Sequence, residues 1–261
     1  MTGVQTCALP IYVETIVALA PDRVVVVEDC AQSLGASIHG RPVGTIGDMG
    51  VFSFGPKKHL PLGEGGMLVS NQRYFLERAI VAGQHPDRAL LQVLDPRIAP
   101  LISEQFWGYR LNPIAAILGS VLITRHLEHW LSERARNIQQ LVHQLARSRT
   151  VRLPEPLPGT LPARGGLALT FVPNTSKSSR SQYAEEVTTR GVSISLGPVK
   201  NALHLLPCVQ QRWGGSNPCP VAEWRCNYQE LFLNSTIGWI GNRTALAQQV
   251  GCVLDPNLGS S

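Results

Sequence analysis

From Tyr12 to Ala20 apolar residues recur at helical spacing, and the turn signal Pro21-Asp22-Arg23 separates that stretch from four consecutive valines, Val24 to Val27. The valine run predicts a buried strand. A helix followed by such a strand is the pattern of an α/β parallel sheet covered on both faces, where ligands gather at the carboxyl ends of the strands. Glu28 and Asp29 stand at that end, and two acids there are costly to bury unless something pairs with them. A glycine-rich tract runs from Gly35 to Gly50. Val51-Phe52-Ser53-Phe54 and Met67-Leu68-Val69-Ser70 then predict two short strands, with Lys57 and Lys58 in the loop between them. From Pro113 a helical pattern with small residues at Ala115, Ala116 and Gly119 begins, and Ile138, Leu141, Val142 and Leu145 predict an amphipathic helix over 132–147. The Pro- and Gly-rich stretch 147–166 reads as a linker or domain crossing, followed by a smaller α+β part and a loose tail, Asn257 to Ser261. No internal repeat is visible.

Composition narrows the class. The chain has 261 residues and is 44% hydrophobic, enough to bury a core in one or two domains. No apolar run approaches the roughly 20 residues that a membrane helix requires, which argues against a membrane protein. The first eleven residues lack a basic start followed by an apolar stretch, so no secretory signal is read and a cytoplasmic setting is expected. Six cysteines (Cys7, Cys30, Cys208, Cys219, Cys226 and Cys252) form no CxxC pair and have no histidines at zinc spacing, so they read as free thiols without a metal. The N-x-[ST] triplets at Asn174, Asn234 and Asn242 would matter only in a secreted chain. The net charge of +5 could draw an anionic partner, but the basic residues form no block and have no aromatic interleaving, which argues against nucleic acid. A modest positive field suits a phosphorylated cofactor or a nucleotide-linked substrate, and a simple solvated surface explains it equally well.

An acid at a strand end, a serine on a later strand and a lysine in a glycine-rich loop make an anion or carbonyl site. Taken singly, Asp29 also reads as a helix cap, Ser53 as an ordinary strand residue and Lys58 as a solvated surface lysine. The segments Glu28-Asp29-Cys30-Ala31-Gln32-Ser33-Leu34-Gly35-Ala36, Val43-Gly44-Thr45-Ile46-Gly47-Asp48, Phe52-Ser53-Phe54, Lys58 and Gly63-Glu64-Gly65-Gly66 give the combination its specificity. In this order they resemble the DegT/DnrJ/EryC1/StrS aminotransferases, whose pattern reads EDxAQxxGA, VGxxGD and SFxxxKxxxxGEGG. The family lysine falls five residues after the serine and five before the first glycine, a register that selects Lys58 and not Lys57.

The resemblance implies a fold-type-I transferase dependent on pyridoxal 5'-phosphate (PLP). The fold would be α/β, a partial large domain with a mostly parallel sheet over 12–130 and a smaller C-terminal α+β domain with its linking helix over 131–261. It implies Lys58 as the lysine that forms a Schiff base with the cofactor aldehyde and then moves protons, and Asp29 as the carboxylate that keeps the pyridine nitrogen protonated. Gln32 would contact the ring oxygen and Ser53 the phosphate. Gly63, Gly65 and Gly66 are expected to supply positive φ or close approach. A phosphate-binding P-loop would need a GK[ST] run directly before a helix, and no GxGxxG supports nicotinamide binding.

Tyr109-Arg110-Leu111-Asn112-Pro113-Ile114-Ala115-Ala116 resembles the family's YR segment before an alanine-rich helix, with one departure. Gly108 stands where relatives carry Asn or Lys reaching the phosphate of the neighbouring subunit. Arg110 also has a structural reading, and His204 reads as a packing or surface residue. Relatives are longer at the front, so residues 1–11 are expected to be a non-native leader and the chain an N-terminally truncated fragment. The expected function is transfer of an amino group from glutamate or glutamine to a keto sugar, nucleotide-linked, or to a ketocyclitol, by an enzyme that is a homodimer in its full-length form. The alternative is a catalytically inactive fragment or regulatory relative of the same fold. A PLP-dependent sugar dehydratase would carry histidine at the lysine position, and His59 is one residue out of register.

Overall fold

The computed structural model describes residues 12–103, 106–153, 156–163, 167–172, 179–192, 194–196, 205–213, 219–220, 230–233, 250 and 253–254. Cys7, Cys226, Cys252, His204, Asn174, Asn234, Asn242, the leader and the tail lie outside the described residues. The chain divides into two compact units, an N-terminal one drawn from Leu9–Glu128 and Leu157–Ala163 and a C-terminal one that includes His129–Pro156 and Arg164–Ser261.

In the N-terminal unit, helix α1 (Val13–Leu19) leads into strand β1 (Val27–Asp29), a hairpin of β2 (Ser37–Ile38) and β3 (Arg41–Pro42), and strands β4 (Met49–Ser53) and β5 (Gly66–Val69). Helices α2 (Arg73–Gly83) and α3 (Pro86–Gln92), a 3-10 turn (Ala99–Leu101) and helix α4 (Pro113–Arg125) follow. β1 pairs in parallel with β4, which pairs antiparallel with β5. The order β1-β4-β5 puts β1 on an edge of this three-stranded sheet. Val13, Cys30, Ala36, Ile38, Val43, Ile46 and Ala163 form the core beside it.

The valine run is not the buried strand that its sequence predicts. Pairing begins only at Val27, and Val24, Val25 and Val27 are 47%, 46% and 50% exposed. Among the described residues β1 has no strand on its outer side, and Ile16, Val17 and Leu19 of α1 are exposed as well. The glycine-rich tract is also more ordered than its composition suggests, since it holds the β2–β3 hairpin. Segment 147–166 carries two strands, β6 (Val151–Arg152) in the C-terminal unit and β7 (Thr160–Leu161), which pairs with β2 in the N-terminal one.

The C-terminal unit is built on helix α5 (Leu127–Leu145), which buries Ile138, Leu141 and Leu145 at helical spacing. Strands β6, β8 (Leu167–Phe171), β9 (Ile194–Ser195) and β10 (Glu230–Leu233) form an antiparallel sheet in the order β6-β8-β10-β9. Helix α6 (Arg180–Thr189) starts on a capping box between Ser179 and Gln182 and adds Tyr183, Ala184 and Val187 to the core. A short helix α7 (Pro207–Trp213) lies further along.

Candidate functional site

Strand pleat sorts the motif residues before any contact is counted. The β1–β4 register pairs Glu28 with Gly50 and Asp29 with Val51. Side chains alternate along a strand and registered partners share a face, so Asp29, Val51 and Ser53 share one face of the sheet while Glu28 and Phe52 share the other. β1 and β4 run parallel, which brings Asp29 and Ser53 to the same carboxyl edge, the place where open α/β sheets receive ligands.

Beyond β4 the chain turns at once, with the Lys58 amide donating to the Gly55 carbonyl at 3.0 Å. Gly55 sits between the two candidate side chains, Ser53 and Lys58. A Cβ placed there would meet Ser53 Oγ at 3.7 Å and Lys58 Cγ at 3.8 Å. The Gly55 amide donates to Ser53 Oγ at 3.4 Å. Lys58 is half-buried and Lys57 exposed. The next residue, His59, is buried.

The base of this loop is closed by backbone bonds from Phe54 N to Gly65 O (2.8 Å) and from Leu62 N to Phe54 O (2.9 Å). The glycines do what was expected of them. Gly63 and Gly65 have φ of +89° and +115°, and a Cβ on Gly66 would lie 2.5 Å from the Phe52 carbonyl oxygen.

Asp29 is exposed at the end of β1, its Oδ1 accepting from the Ala31 amide at 3.0 Å. This short turn orients the carboxylate. Gln32 follows in the turn closed by Ser33 N to Cys30 O at 3.0 Å and is half-buried. The structure thus brings Asp29 and Ser53 to one face and edge, sets Lys58 beside Ser53, and holds Gln32 three residues beyond Asp29.

Glu28 has the opposite fate. It is only 6% exposed, and its carboxylate accepts three backbone bonds of 2.7 Å, from Gly44 to Oε2 and from Ile46 and Gly47 to Oε1. Hydrogen bonds to a charged group contribute about 1.5–3 kcal/mol each, enough together to offset a desolvation cost of several kcal/mol. Asp48 adds a second tie, its Oδ2 accepting from Val26 N at 2.8 Å and its Oδ1 from Gln72 Nε2 at 2.6 Å. Sequence reasoning noted the Glu28 burial problem without finding these partners. The signal was present: an acid ending an apolar run, then a Gly-x-x-Gly-Asp tract whose amides can converge on it.

Gly108 has a φ of +65°. That left-handed backbone suits glycine first and asparagine next, so the departure from the usual Asn or Lys keeps the turn while deleting the side chain. Arg110 is exposed, and its amide donates to the Gly108 carbonyl at 2.8 Å. Leu111 packs against the Gly65 backbone, which places this segment beside the glycine loop.

The profile of the DegT/DnrJ/EryC1/StrS aminotransferase family matches residues 4–236. A GDP-perosamine synthase of Escherichia coli O157:H7 is 43% identical over 118 residues, 42% of this chain and 29% of that protein. An L-glutamine:2-deoxy-scyllo-inosose aminotransferase of Streptoalloteichus tenebrarius is 46% identical over 52 residues, 20% of this chain and 12% of that protein. The crystal structure of an aminotransferase from Psychrobacter cryohalolentis superposes with a TM-score of 0.79 at 21% identity, covering 98% of this chain and 67% of that one. The matched stretches therefore cover less than a third of either curated relative.

Proposed function

This chain belongs to the DegT/DnrJ/EryC1/StrS aminotransferase family, and from that premise we propose that it is part of a PLP-dependent enzyme that moves an amino group from glutamate or glutamine to a keto sugar or ketocyclitol. The observation that carries this reading is the convergence of Ser53 Oγ and the Lys58 side chain on Gly55, at the same sheet edge as Asp29. The names of two relatives support the acceptor classes, a GDP-linked sugar in one and a cyclitol in the other. The second name also supports glutamine as donor.

The residues present fit the cofactor. One half-buried primary amine, one hydroxyl, one exposed carboxylate and one amide side chain suit an aldehyde, a phosphate, a pyridinium and a ring oxygen. Gly55 leaves open the space that a Cβ would fill between Ser53 and Lys58. When bound, PLP supplies an aldehyde that condenses with amines and a ring that accepts an electron pair from the substrate carbon.

The remaining work falls to the chain. Asp29, held by the Ala31 amide, would be the carboxylate facing the ring nitrogen. Ser53 would donate a hydrogen bond to a phosphate oxygen. Lys58 Nζ takes the proton from the donor carbon that bears nitrogen and delivers one to the acceptor carbonyl carbon. Overall the donor leaves as a 2-oxo acid and the acceptor C=O becomes CH–NH2, so the exchange balances without an external oxidant or reductant.

A dehydratase reading is not favoured, because a lysine occupies the register position and the neighbouring histidine is buried. Among the described residues no helix is long and apolar enough to cross a membrane. A cytoplasmic homodimer of the longer protein completes the proposal.

The test is an absorbance spectrum of the purified chain with PLP, before and after borohydride, with Lys58→Ala as control. A visible band that reduction fixes covalently, absent in the variant, is expected. A folded chain that yields no such band overturns the reading for this polypeptide and leaves the inert-fragment alternative standing.

A further inference from the structure

Resting on the reading just given, we propose that Glu28 is a positioning residue for the cofactor site, acting through Asp29 and not by contact with ligand. β1 has three paired residues and lies on a sheet edge, and among the described residues its strand pairing is with β4. Two carboxylate clamps add to that ladder and to the backbone bonds that Val26 O accepts from Asp48 and Met49. Asp48 holds Val26, and Glu28 draws the amides of Gly44, Ile46 and Gly47 onto the face opposite Asp29.

The loop that delivers those amides is fitted to the clamp. A Cβ on Gly47 would lie 2.8 Å from the Val26 carbonyl oxygen and 3.4 Å from Glu28 Cγ. One on Gly50 would lie 2.5 Å from both Cα and O of Gly44. Gly44 itself has a φ of +85° and comes close to the Phe52 ring and Cys30 Sγ. Three glycines are thus spent on bringing a loop backbone against one side chain. A carboxylate that only needed solvation would require none of this.

The consequence for the site follows from the pleat. Glu28 and Asp29 are consecutive, so a rotation of the strand that frees Glu28 from its amides turns Asp29 by the same amount. The Asp29 carboxylate is held on its own face by one bond, from the Ala31 amide. Fixing Glu28 from behind therefore fixes the direction in which the exposed Asp29 points.

The experiment uses Glu28→Gln in the full chain. A glutamine keeps the shape but offers one oxygen, and its NH2 group faces amide donors where an acceptor is needed. Backbone amide exchange, read without cofactor, is expected to speed up roughly tenfold or more at Gly44, Ile46 and Gly47, and also at Ala31, while the β4–β5 ladder at Phe52 and Met67 keeps its protection. Asp29→Ala sets the value for complete loss at Ala31. With PLP bound, the pH midpoint of the visible band is expected to shift by about one pH unit in Glu28→Gln.

Faster exchange at the three loop amides with Ala31 unchanged overturns the proposal, because Glu28 then holds only its own loop. If Glu28→Gln does not fold, Gly47→Ala presses on the same clamp from the loop side and is judged by the same amides. The exchange readout needs no cofactor. A wild-type chain that takes no PLP therefore counts against the proposed function, and the Ala31 amide still decides the positioning role.

Discussion

Burial pushes the Cys30 thiol up to about 12 from 9.0, the Glu28 charge pushes the same way, a hydrogen bond with Ser33 pulls back, and Asp29 adds a last upward push. The folded chain therefore keeps a proton that the unfolded chain releases between pH 9 and 12. This contribution to stability is fully present below about pH 9 and is lost as pH rises toward 12. Two results are expected at pH 8: iodoacetamide leaves Cys30 unmodified in the native chain while the exposed Cys208 and Cys219 react, and urea makes all three reactive. Peptide mass mapping reads both, and rapid native labelling of Cys30 would contradict its burial. A different residue-scale effect belongs to Gly50. Gly50→Ala places a methyl 2.5 Å from Gly44 backbone atoms that cannot swing aside, with an expected cost of about 1–3 kcal/mol in urea unfolding. The motif made Gly44, Gly47 and Gly50 visible in the sequence as a set. Their reason was not visible, because close approach to Glu28 is a long-range contact that only the assembled strand defines.

Elements with apolar residues at regular spacing were legible, even where, as in α4, those residues stay exposed, and elements held by charge were not. β4, β5, α4 and α5 all follow their patterns to within a few residues. The valine run stays exposed among the described residues, and β7 was hidden in a stretch whose prolines and glycines signal a linker. α2 and α3 gave no strong apolar stripe, because the most buried long side chain on α2 is an acid, Glu77. Its Oε1 takes a short bond from Arg73 and its Oε2 accepts from the Asp95 amide at 2.8 Å, pinning the end of the α3 connection to α2. Arg97 then grips Asp95 through three side-chain bonds and lies 5.4 Å from the centre of the Tyr74 ring. Hydrogen bonds from Arg97 hold Asp95 at about 2, below its ordinary 3.8, and the bond from Arg73 lowers Glu77 as well. A depressed carboxylate stabilises the fold above its unfolded value and stops doing so as pH falls through its folded one. The corner is therefore expected to stay intact down to about pH 4 and to loosen toward about pH 2, read as a shift of the Arg97 amide in nitrogen-proton spectra. Asp95→Asn should abolish that transition. In the other unit, Ser179→Ala removes the α6 capping box and is expected to cost about 1 kcal/mol, seen as a lowered midpoint in thermal unfolding.

At the scale of the whole molecule the largest physical fact is apolar surface left in the open. α4 touches its surroundings through a narrow stripe of Ala115, Gly119 and Leu122, with Gly119 so close to Leu62 that a Cβ there would lie 2.7 Å from a leucine methyl. The rest of the helix presents Ile114, Ile117, Leu118 and Val121 to solvent, with Trp107 and Tyr109 stacked just before it. Covering an exposed isoleucine contributes about 1.5–3 kcal/mol, so a helix face with two of them supplies several kcal/mol to any association that buries it. Patches of this kind mark interaction sites or aggregation. The chain is therefore expected to self-associate at micromolar concentration and neutral pH, and the double variant Ile114→Glu, Ile117→Glu to weaken that association at least tenfold with helix content unchanged. Sedimentation velocity and far-UV circular dichroism test this together. Association that saturates at two copies fits the proposed homodimer and places α4 in its interface. Unlimited growth with concentration shows instead that the face is merely sticky in this polypeptide, and a strictly monomeric wild type removes α4 from consideration as an interface.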